Sequence, residues 1–482
     1  MGLGSVLCFA PFDFPWLWLL FIPALLKAID LSSRRITTLF WFYQGMWLAG
    51  ASWIYYSIHT FGGIPLWLTL LGVAAFCSFM ALISTIPFLI WSGRKPVSLS
   101  TIILLEFCAI WVLGEWSREW ILTGFPWLQL AHGWVDTPIT GFATIGGTLL
   151  VSAVMIGMTV SLYRTVTKIT SGSLIIWLAT WGSVWLIGWQ LSLVPWTKPQ
   201  ESGTQIAIIQ PNLDQSIKWD PSELDNIVGQ LTELTNATDA ELVFWPEAAI
   251  PSIMRDGSPF LDSLDRYARS RNATIITGVP TVNFTADGYD IFNSIIATNQ
   301  GGLYHKQRLV PFGEYIPLID IIGPILQLLD LPVGSQAQGS NTQSPLSAGH
   351  VKIAPAVCYE VAYGSVVASL ASRANLLSNH SNDSWFGDTR GPDQHFQIAR
   401  WRAIEASKPL IRVTNNGISA IVDHRGKITQ VLERNVIAHG EATVTPRDGR
   451  SPFHIWGNNP LLVLLVTVLV AIKLRRFINK SR

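Results

Sequence analysis

The chain has 482 residues, of which 49% are hydrophobic and only 13% charged, and it contains 22 tryptophans. This composition excludes an ordinary soluble protein, and a formal net charge of +1 at pH 7 gives no basis for nucleic-acid binding. Charge is unevenly distributed, since 20 of the 33 Lys and Arg residues fall between Lys198 and Arg450. The sequence therefore predicts a multi-span membrane part over 1–197, an extramembrane domain over 198–457, and a last span with a basic tail over 458–482.

Apolar segments long enough to cross a hydrocarbon layer of ~30 Å predict the membrane-spanning helices. They lie near 14–31, 36–58, 66–93, 100–117, 138–163, 174–196 and 459–475. A further apolar run at 2–10 is too short to span alone, so we expect seven spans without it and eight with it. This run lacks a basic n-region and a small-residue cleavage site, which argues against a signal peptide. It is either a short first helix or a sign that the true start lies upstream.

The basic residues of the connecting segments predict the orientation in the membrane. Twelve Lys and Arg residues fall on one side, and only Arg118 falls on the other. The positive-inside rule places the side with twelve in the cytoplasm, so the domain over 198–457 is expected outside it. The twelve are Lys27, Arg34, Arg35, Arg94, Lys95, Arg164, Lys168, Lys473, Arg475, Arg476, Lys480 and Arg482.

The extramembrane domain alternates strand-like and helix-like runs. Strands are predicted at Thr204–Gln210, Glu241–Trp245, Ala273–Gly278, Ile291–Thr298, Val351–Cys358, Asn375–Ser378, Leu410–Thr414 and Ile418–Asp423. Helical spacing of apolar residues occurs at Ser258–Arg271, Val361–Ser372 and Gln394–Ser407. Strands with interleaved helices and hairpins are typical of two sheets packed face to face with helices outside. The domain is therefore expected to be an α/β sandwich of αββα type.

Three short segments of this domain each carry one reactive side chain: Trp245-Pro246-Glu247, the segment Tyr304–Glu314 around Lys306, and Val357-Cys358-Tyr359-Glu360. A thiol attacks carbonyl carbon, a carboxylate takes the thiol proton, and an ammonium stabilises the oxyanion that forms. The three groups are therefore the components of a thiol acyl-transfer enzyme. We take Glu247, Lys306 and Cys358 as the candidate catalytic residues.

Each candidate also has a more ordinary interpretation when it is taken alone. Cys358 is the only cysteine of the domain, and a lone cysteine in an apolar strand is usually a small core residue. Taken alone, Glu247 would be interpreted as a surface or capping carboxylate, and Lys306 would be interpreted as an exposed lysine. The occurrence of all three in this order and context favours the catalytic interpretation.

The three segments, in this chain order, resemble the Glu-Lys-Cys set of the carbon–nitrogen hydrolase (nitrilase) superfamily. Longer strings resemble, within it, the apolipoprotein N-acyltransferase family, and the resemblance covers nearly the whole chain. These strings are Leu309–Pro317, Asn382–Gly387, Glu115–Trp120 followed by Thr123–Leu128, and Arg402–Glu405. The resemblance implies a nitrilase-like domain on the periplasmic side of a bacterial cytoplasmic (inner) membrane. We expect a monomer that uses no cofactor.

The resemblance also implies a ping-pong acyl transfer in two steps. Cys358 attacks an ester carbonyl of a membrane phospholipid, which gives a thioester and a lysophospholipid. The α-amine of a diacylglyceryl-modified amino-terminal cysteine of a lipoprotein then takes the acyl chain as an amide. Glu247 acts as the base in both steps, and exclusion of water protects the thioester.

Five further residues are candidates for supporting or substrate-binding roles. Glu314 and Glu360 are expected to orient Lys306 or the nearby backbone, with a purely structural ion pair as the alternative. Tyr359 either shapes the acyl pocket or packs in the core. By the resemblance, Trp219 and Trp385 line the lipid entrance, whereas the alternative is an aromatic residue resting among lipid headgroups.

Other classes of site and function are less well supported. The nine His residues show no paired ligand spacing, and no Gly-rich phosphate loop follows a strand, so we expect no metal or nucleotide site. A membrane-tethered amidase or nitrilase would use the same triad, but a single anchor would serve it. Glu106 and Glu115 raise the possibility of a transport path, although Arg118 makes a structural pair the better interpretation for Glu115.

Overall fold

A computed structural model of the protein describes residues 1–91, 101–167, 170–255, 257–286, 288–317 and 336–481. The chain forms two compact units. The first comprises Met1–Val194, Thr389–Gln397 and Ile455–Arg482, and the second comprises Pro195–Asp388 and Ile398–His454. Among the basic residues used to predict the orientation, Arg94, Lys95, Lys168 and Arg482 lie outside the described residues.

The first unit is helical. Its long helices are α1 (Trp18–Leu31), α2 (Arg35–Ala51), α3 (Leu66–Thr85), α4 (Thr101–Ser117), α5 (Ala143–Thr167), α6 (Ser171–Leu193) and a last helix, Asn459–Ser481. The apolar run at 2–10 contains a short 3-10 helix, Leu3–Cys8. The predicted span at 36–58 is interrupted, because α2 ends at Ala51 and a π-helical turn follows at Ser57–Phe61.

Three helices within the described residues have the length and composition to cross a membrane: Leu66–Ile90, Pro138–Thr167 and Gly172–Leu193. The other predicted spans also coincide with helices, but they do not meet the same criteria of length and composition. The membrane character of the first unit therefore has direct support, whereas the number of seven to eight spans stays a prediction.

The second unit contains, within its described residues, two six-stranded sheets. In chain order the strands are β1 (Thr197–Pro199), β2 (Thr204–Gln210), β3 (Leu242–Phe244), β4 (Thr274–Thr285), β5 (Gly288–Ala297), β6 (Gly302–His305), β7 (Leu346–Ala348), β8 (Val351–Val357), β9 (Leu376–Ser381), β10 (Leu410–Thr414), β11 (Ala420–Val422), β12 (Ile428–Val431), β13 (Ala438–Val444) and β14 (Arg447–Gly449). Strands β1 and β14 pair separately.

The two sheets have the same plan. One has the order β13-β2-β3-β4-β5-β6 and the other the order β12-β11-β10-β9-β8-β7. In each, three central strands run parallel, namely β2, β3 and β4 in one and β8, β9 and β10 in the other. Parallel neighbours require crossover connections, and helices supply them. These helices are α7 (Leu224–Asn236), α8 (Pro259–Ser270), α9 (Gly364–Ala371) and α10 (Gly391–Ala406).

The central strands are buried on both faces, which explains why their sequences are continuous apolar runs. In β2, Ala207 and Ile209 join the core formed with helices α7 and α8. The intervening residues Ile206 and Ile208 are equally buried. The inner faces of the two sheets meet, since the ring of His380 in β9 lies 2.8 Å from the carbonyl oxygen of Trp245. The αββα arrangement expected from the sequence is therefore observed.

Local sequence signals explain where helix α8 begins and ends. The Ser258 side chain accepts a hydrogen bond from the backbone N–H of Leu261, and Pro259 occupies the first helical position. Asp262 lies in the first turn and Arg269 in the last, as the helix dipole favours. Such caps position the connections between strands, and the candidate catalytic residues lie on connections of this kind.

Candidate active site

The three candidate catalytic residues follow three different strands. Glu247 lies three residues beyond β3, Lys306 directly follows β6, and Cys358 directly follows β8. Strands β3 and β6 belong to one sheet and β8 to the other. The site therefore requires both sheets, because one supplies the two charged groups and the other supplies the thiol.

Lys306 lies between two carboxylates. Its Nζ is 2.7 Å from Oε1 of Glu314 and 3.7 Å from Oε1 of Glu247, and the side chain is only 1% exposed. Burial alone would lower the pKa of Lys306, but Glu314, Glu247 and the Cys358 sulfur raise it above its ordinary value. The ammonium is therefore a permanent positive charge, held beside the candidate base and nucleophile.

The Glu247 carboxylate accepts hydrogen bonds from two neutral donors. Its Oε1 accepts a hydrogen bond of 2.7 Å from Nδ2 of Asn293, and its Oε2 accepts one of 2.9 Å from the backbone N–H of Asn382. The main chain after it is tightly packed, because a Cβ on Gly278 would lie only 2.6 Å from the Cα of Glu247. Ala248 adopts a positive φ of 44° at this point. The carboxylate is thus fixed by both its side chain and its backbone.

Cys358 occupies a strained turn at the end of β8. Its φ of 51° is in the left-handed region, which a residue with a Cβ adopts at a cost of about 1–3 kcal/mol. The Nδ2 of Asn379 donates to the carbonyl oxygens of Ala356 at 3.1 Å and of Cys358 at 3.3 Å, and thereby holds the turn. Strain of this kind, maintained by surrounding hydrogen bonds, is common where a reactive group must be aimed.

The thiol of Cys358 is protonated at rest. Burial raises the pKa of Cys358 to about 12, and the nearby charge of Glu247 acts in the same direction. Lys306 and the hydroxyl of Ser381 act in the opposite direction. Because the thiolate is the nucleophilic form, the geometry requires a proton acceptor at the moment of attack. Glu247 is the candidate for that acceptor.

The two supporting carboxylates have different contacts. Glu314 accepts from the Lys306 ammonium through Oε1 and, at 2.8 Å, from the backbone N–H of Val310 through Oε2. Glu360 accepts from the backbone N–H groups of Gln307 at 2.7 Å and Val357 at 2.9 Å. Glu314 therefore orients the Lys306 side chain, whereas Glu360 ties the backbone of the Lys306 segment to that of the Cys358 segment.

The three aromatic candidates differ in exposure. The Tyr359 ring is buried and packs edge-on against Tyr363 with ring centroids 5.4 Å apart, and its hydroxyl accepts a hydrogen bond from Tyr363. Trp219 is 50% exposed and Trp385 is 42% exposed. The two tryptophans are therefore available at the surface, whereas Tyr359 is packed inside the domain.

Several buried residues near the candidate site belong to no recognisable sequence motif. Asn379 and Arg412 are fully buried within β9 and β10, and an Arg412 Nη1 donates to the Asn379 side chain. Arg412 also forms a buried ion pair of 2.9 Å with Asp383. A polar residue within an otherwise apolar strand is the signal that would have pointed to them. Within the described ranges, no three His, Cys, Asp or Glu side chains are grouped as metal ligands would be.

Comparison with known proteins agrees with this architecture. Residues 205–443 match the carbon-nitrogen hydrolase family model, which defines the class of the catalytic domain. Residues 1–161 match the model of the apolipoprotein N-acyltransferase N-terminal domain. The Glu, Lys and Cys positions described above all lie within the first of these matches.

Curated relatives extend the similarity over nearly the whole chain. A protein of Pseudomonas syringae pv. tomato is 37% identical, with 95% of this chain and 92% of the relative covered. Proteins of Azotobacter vinelandii and Vibrio vulnificus are 38% and 36% identical, with 97% and 96% of this chain and 92% and 93% of the relatives covered. All three are apolipoprotein N-acyltransferases. The chain belongs to the apolipoprotein N-acyltransferase family.

Proposed function

We propose that the protein transfers an acyl chain from a membrane phospholipid to the α-amine of the diacylglyceryl-cysteine that begins a lipoprotein. Cys358 carries the acyl chain as a thioester between the two steps. The observation that carries the proposal is the buried cluster in which the Lys306 ammonium lies between the carboxylates of Glu247 and Glu314. Family membership supplies the substrate class, and the cluster supplies the chemistry.

In the first step the Cys358 thiol attacks the ester carbonyl carbon. Its proton moves to Glu247 as the S–C bond forms, since the raised pKa of the thiol leaves little thiolate beforehand. The negative charge that develops on the carbonyl oxygen is stabilised by the Lys306 ammonium and the backbone N–H of Tyr359. Collapse of this intermediate breaks the ester C–O bond, and the lysophospholipid leaves with the proton from Glu247.

In the second step the free α-amine attacks the thioester carbonyl carbon. Glu247 takes a proton from the attacking nitrogen, and the same two donors stabilise the oxyanion. Cleavage of the C–S bond releases the amide, and the sulfur recovers the proton from Glu247. Each step consumes no other reactant, so the cycle returns the enzyme to its starting state.

The proposed reaction explains why the catalytic domain is joined to a membrane part. Both substrates carry acyl chains, and water in the site would hydrolyse the thioester before the amine arrived. The exposed Trp219 and Trp385 present large amphipathic rings of the kind that rest at a membrane surface. We assign them to the lipid entrance, and Tyr359 to the wall of the acyl pocket.

The topology is part of the same proposal. Seven to eight spans over 1–197 and 458–482 would hold the catalytic domain over 198–457 on the periplasmic side of a bacterial cytoplasmic membrane, in a monomer. The bias of basic residues supports this orientation, and the three long apolar helices support the membrane location. A cysteine introduced at the exposed Thr285 should react with a membrane-impermeant thiol reagent in intact spheroplasts. A cysteine at the exposed Arg34 should react only after the membrane is broken, and the opposite pattern would invert the topology.

The complete reaction is tested with both substrates present. Purified protein, a diacyl phospholipid and a synthetic peptide that begins with diacylglyceryl-cysteine should yield the N-acylated peptide and one lysophospholipid for each amide. The membrane-tethered amidase would instead release ammonia or an amine from small amides and leave the peptide unmodified. Ammonia release without peptide acylation would replace the acyltransferase proposal with the amidase.

A further inference from the structure

A second buried lysine lies beside the candidate base. Lys218 is only 1% exposed, whereas its neighbours Ile217 and Trp219 are 46% and 50% exposed. All three lie in the loop between β2 and helix α7. The loop therefore turns two large apolar side chains outward and one ammonium inward, which is the reverse of what burial energies favour for these residue types.

The Lys218 ammonium contacts the main chain of Glu247, the proposed base. Nζ of Lys218 donates a hydrogen bond of 3.2 Å to the carbonyl oxygen of Glu247. Among the described residues, no other group accepts a hydrogen bond from this ammonium. An ammonium has three donors, so one neutral acceptor leaves it far from satisfied. Burial lowers the pKa of Lys218 to about 8, and the negative charge of Glu247 opposes that shift.

A buried charge with so little hydrogen bonding needs an electrostatic reason to be retained. In the described part of the site, Glu247 and Glu314 both face the single ammonium of Lys306. The neighbouring Asp383 has its own partner in Arg412, at 2.9 Å, and Glu360 is held by backbone N–H groups. Cys358 is a neutral thiol at rest. Glu247 and Glu314 therefore share the Lys306 ammonium, and Lys218 brings a second positive charge to Glu247.

We infer that Lys218 is a positioning residue for Glu247, which fixes the main chain of the base and places a second positive charge beside its carboxylate. The same hydrogen bond ties the loop that carries Ile217 and Trp219 to the base. Lys218 touches none of the reacting atoms in this scheme, and its effect passes through Glu247. The inference rests on the proposed function, because it assumes that Glu247 is the base.

The test is the pH dependence of acyl-enzyme formation with a radiolabelled diacyl phospholipid in mixed micelles. Lys218→Met removes a positive charge next to Glu247, so the carboxylate holds its proton to higher pH. The acidic limb of the rate profile should therefore move up by roughly one pH unit, which is about a tenfold loss of rate on that limb. Lys218→Arg keeps the charge and should keep the acidic limb of the wild type.

Lys218→Gln separates the charge from the hydrogen bond. Its amide retains an N–H donor but carries no charge, so the acidic limb should shift as in Lys218→Met, with a smaller loss of rate at the optimum. A shift in Lys218→Met without one in Lys218→Gln would assign Lys218 to anchoring alone and overturn the electrostatic part of the inference.

Lys408 provides a matched control. It is also fully buried, its Nζ donates to the backbone carbonyl of Ala371 at 2.7 Å, and burial likewise lowers its pKa to about 8. The charges that act on it are those of Asp448 and Arg450 rather than those of the candidate active site. Lys408→Met should lower thermal stability and leave the pH profile of the folded enzyme unchanged.

The outcomes separate the inference from the proposed function. A wild-type protein that forms no acyl-Cys358 would refute the proposed function itself. If the wild type is acylated and the profile of Lys218→Met superposes on that of Lys408→Met, the inference is wrong. Failure of both Lys218→Met and Lys218→Gln to fold would make Lys218 a structural ammonium and would also overturn it.

Discussion

The buried charges of the two units are arranged in opposite ways. In the helical unit, the fully buried Glu106 is met by two cations, with Nζ of Lys473 at 2.6 Å and Nη1 of Arg476 at 3.1 Å. In the catalytic unit the ratio is reversed, because the Lys306 ammonium is shared between Glu247 and Glu314. The helical unit thus places two cations around one carboxylate, whereas the second unit places two carboxylates around the Lys306 ammonium.

The comparison separates structural charges from reactive ones. Glu106 links helix α4 to the last helix through its two partners, and Glu115 is paired with Arg118 at 3.6 Å and accepts from Trp111 and the backbone N–H of Leu130. These contacts support structural roles rather than a transport path for both acidic residues. The proposed chemistry belongs instead to the cluster in which the Lys306 ammonium contacts Glu247 and Glu314 beside Cys358.

Replacing carboxylates in the two clusters should give the largest difference. Glu247→Gln removes the proton acceptor and keeps the shape, so acyl-enzyme formation should fall by about 10³-fold while the fold survives. Glu106→Gln should lower the melting temperature and leave the rate per folded molecule unchanged. The rate is followed by transfer of a labelled acyl chain, and the melting temperature by thermal unfolding. An active Glu247→Gln enzyme would remove Glu247 from the role of base.

Replacing lysines in the two clusters should give the next effect. Lys306→Arg keeps the charge but displaces it, and one oxyanion donor is worth about 10²–10³ in rate, so transfer should fall by that factor. Lys473→Arg should be tolerated, because a guanidinium also pairs with the Glu106 carboxylate. Steady-state transfer rates of both variants provide the measurement. Full activity of Lys306→Arg would make Lys306 a structural cation like Lys473.

The backbone position of the base should matter less than its chemistry, but measurably. Gly278→Ala places a Cβ about 2.6 Å from the Cα of Glu247, which requires the base to shift. We expect a loss of roughly tenfold or more in rate and a cost of about 1–3 kcal/mol in the free energy of unfolding. Gly229→Ala in helix α7 has open space around the new Cβ and should raise stability by up to about 1 kcal/mol with no change in rate.

A further effect concerns the free enzyme rather than the rate of acyl transfer. The pKa of Cys358 is raised to about 12, so without substrate the thiol carries less thiolate at pH 8 than an unperturbed cysteine of pKa ~8.5. Alkylation of Cys358 by iodoacetamide should therefore be roughly 10²-fold slower, or more, than alkylation of a cysteine placed at the exposed Thr285, and should rise steadily with pH. Peptide mass analysis measures both rates in one sample. A plateau of Cys358 alkylation below pH 8 would mean a preformed thiolate.

The sequence predicted the parts of the site that follow strong local patterns. The strand Leu410–Thr414 has the predicted bounds, and the candidates Glu247 and Cys358 each follow a strand that was predicted from its apolar run. Strand β4 runs on from the predicted end at Gly278 to Thr285, because Pro280 and the polar residues after it pair with β5 in a long hairpin. Such pairing depends on the partner strand, which local composition does not show.

Other features had no local signal at all. Helix α7 was not predicted, because its buried residues are only Ile227, Leu231 and Thr235 in an otherwise polar segment. Lys218 and Asn293 appear unremarkable in sequence, and each acquires its role from Glu247, which is contributed by another strand. A residue that serves the site through a distant backbone or side chain is identified only once the sheets bring the segments together.

The most direct test of the account is to incubate the purified protein with a diacyl phospholipid alone and to measure the mass of the peptide that contains Cys358. The account predicts one acyl chain on Cys358 and one lysophospholipid released for each adduct. It predicts no adduct in Cys358→Ala, because the domain has no other thiol, and almost none in Cys358→Ser, because a hydroxyl is harder for a carboxylate to deprotonate. An unmodified Cys358 in a protein that still acylates the peptide, or an adduct that persists in Cys358→Ala, would contradict it.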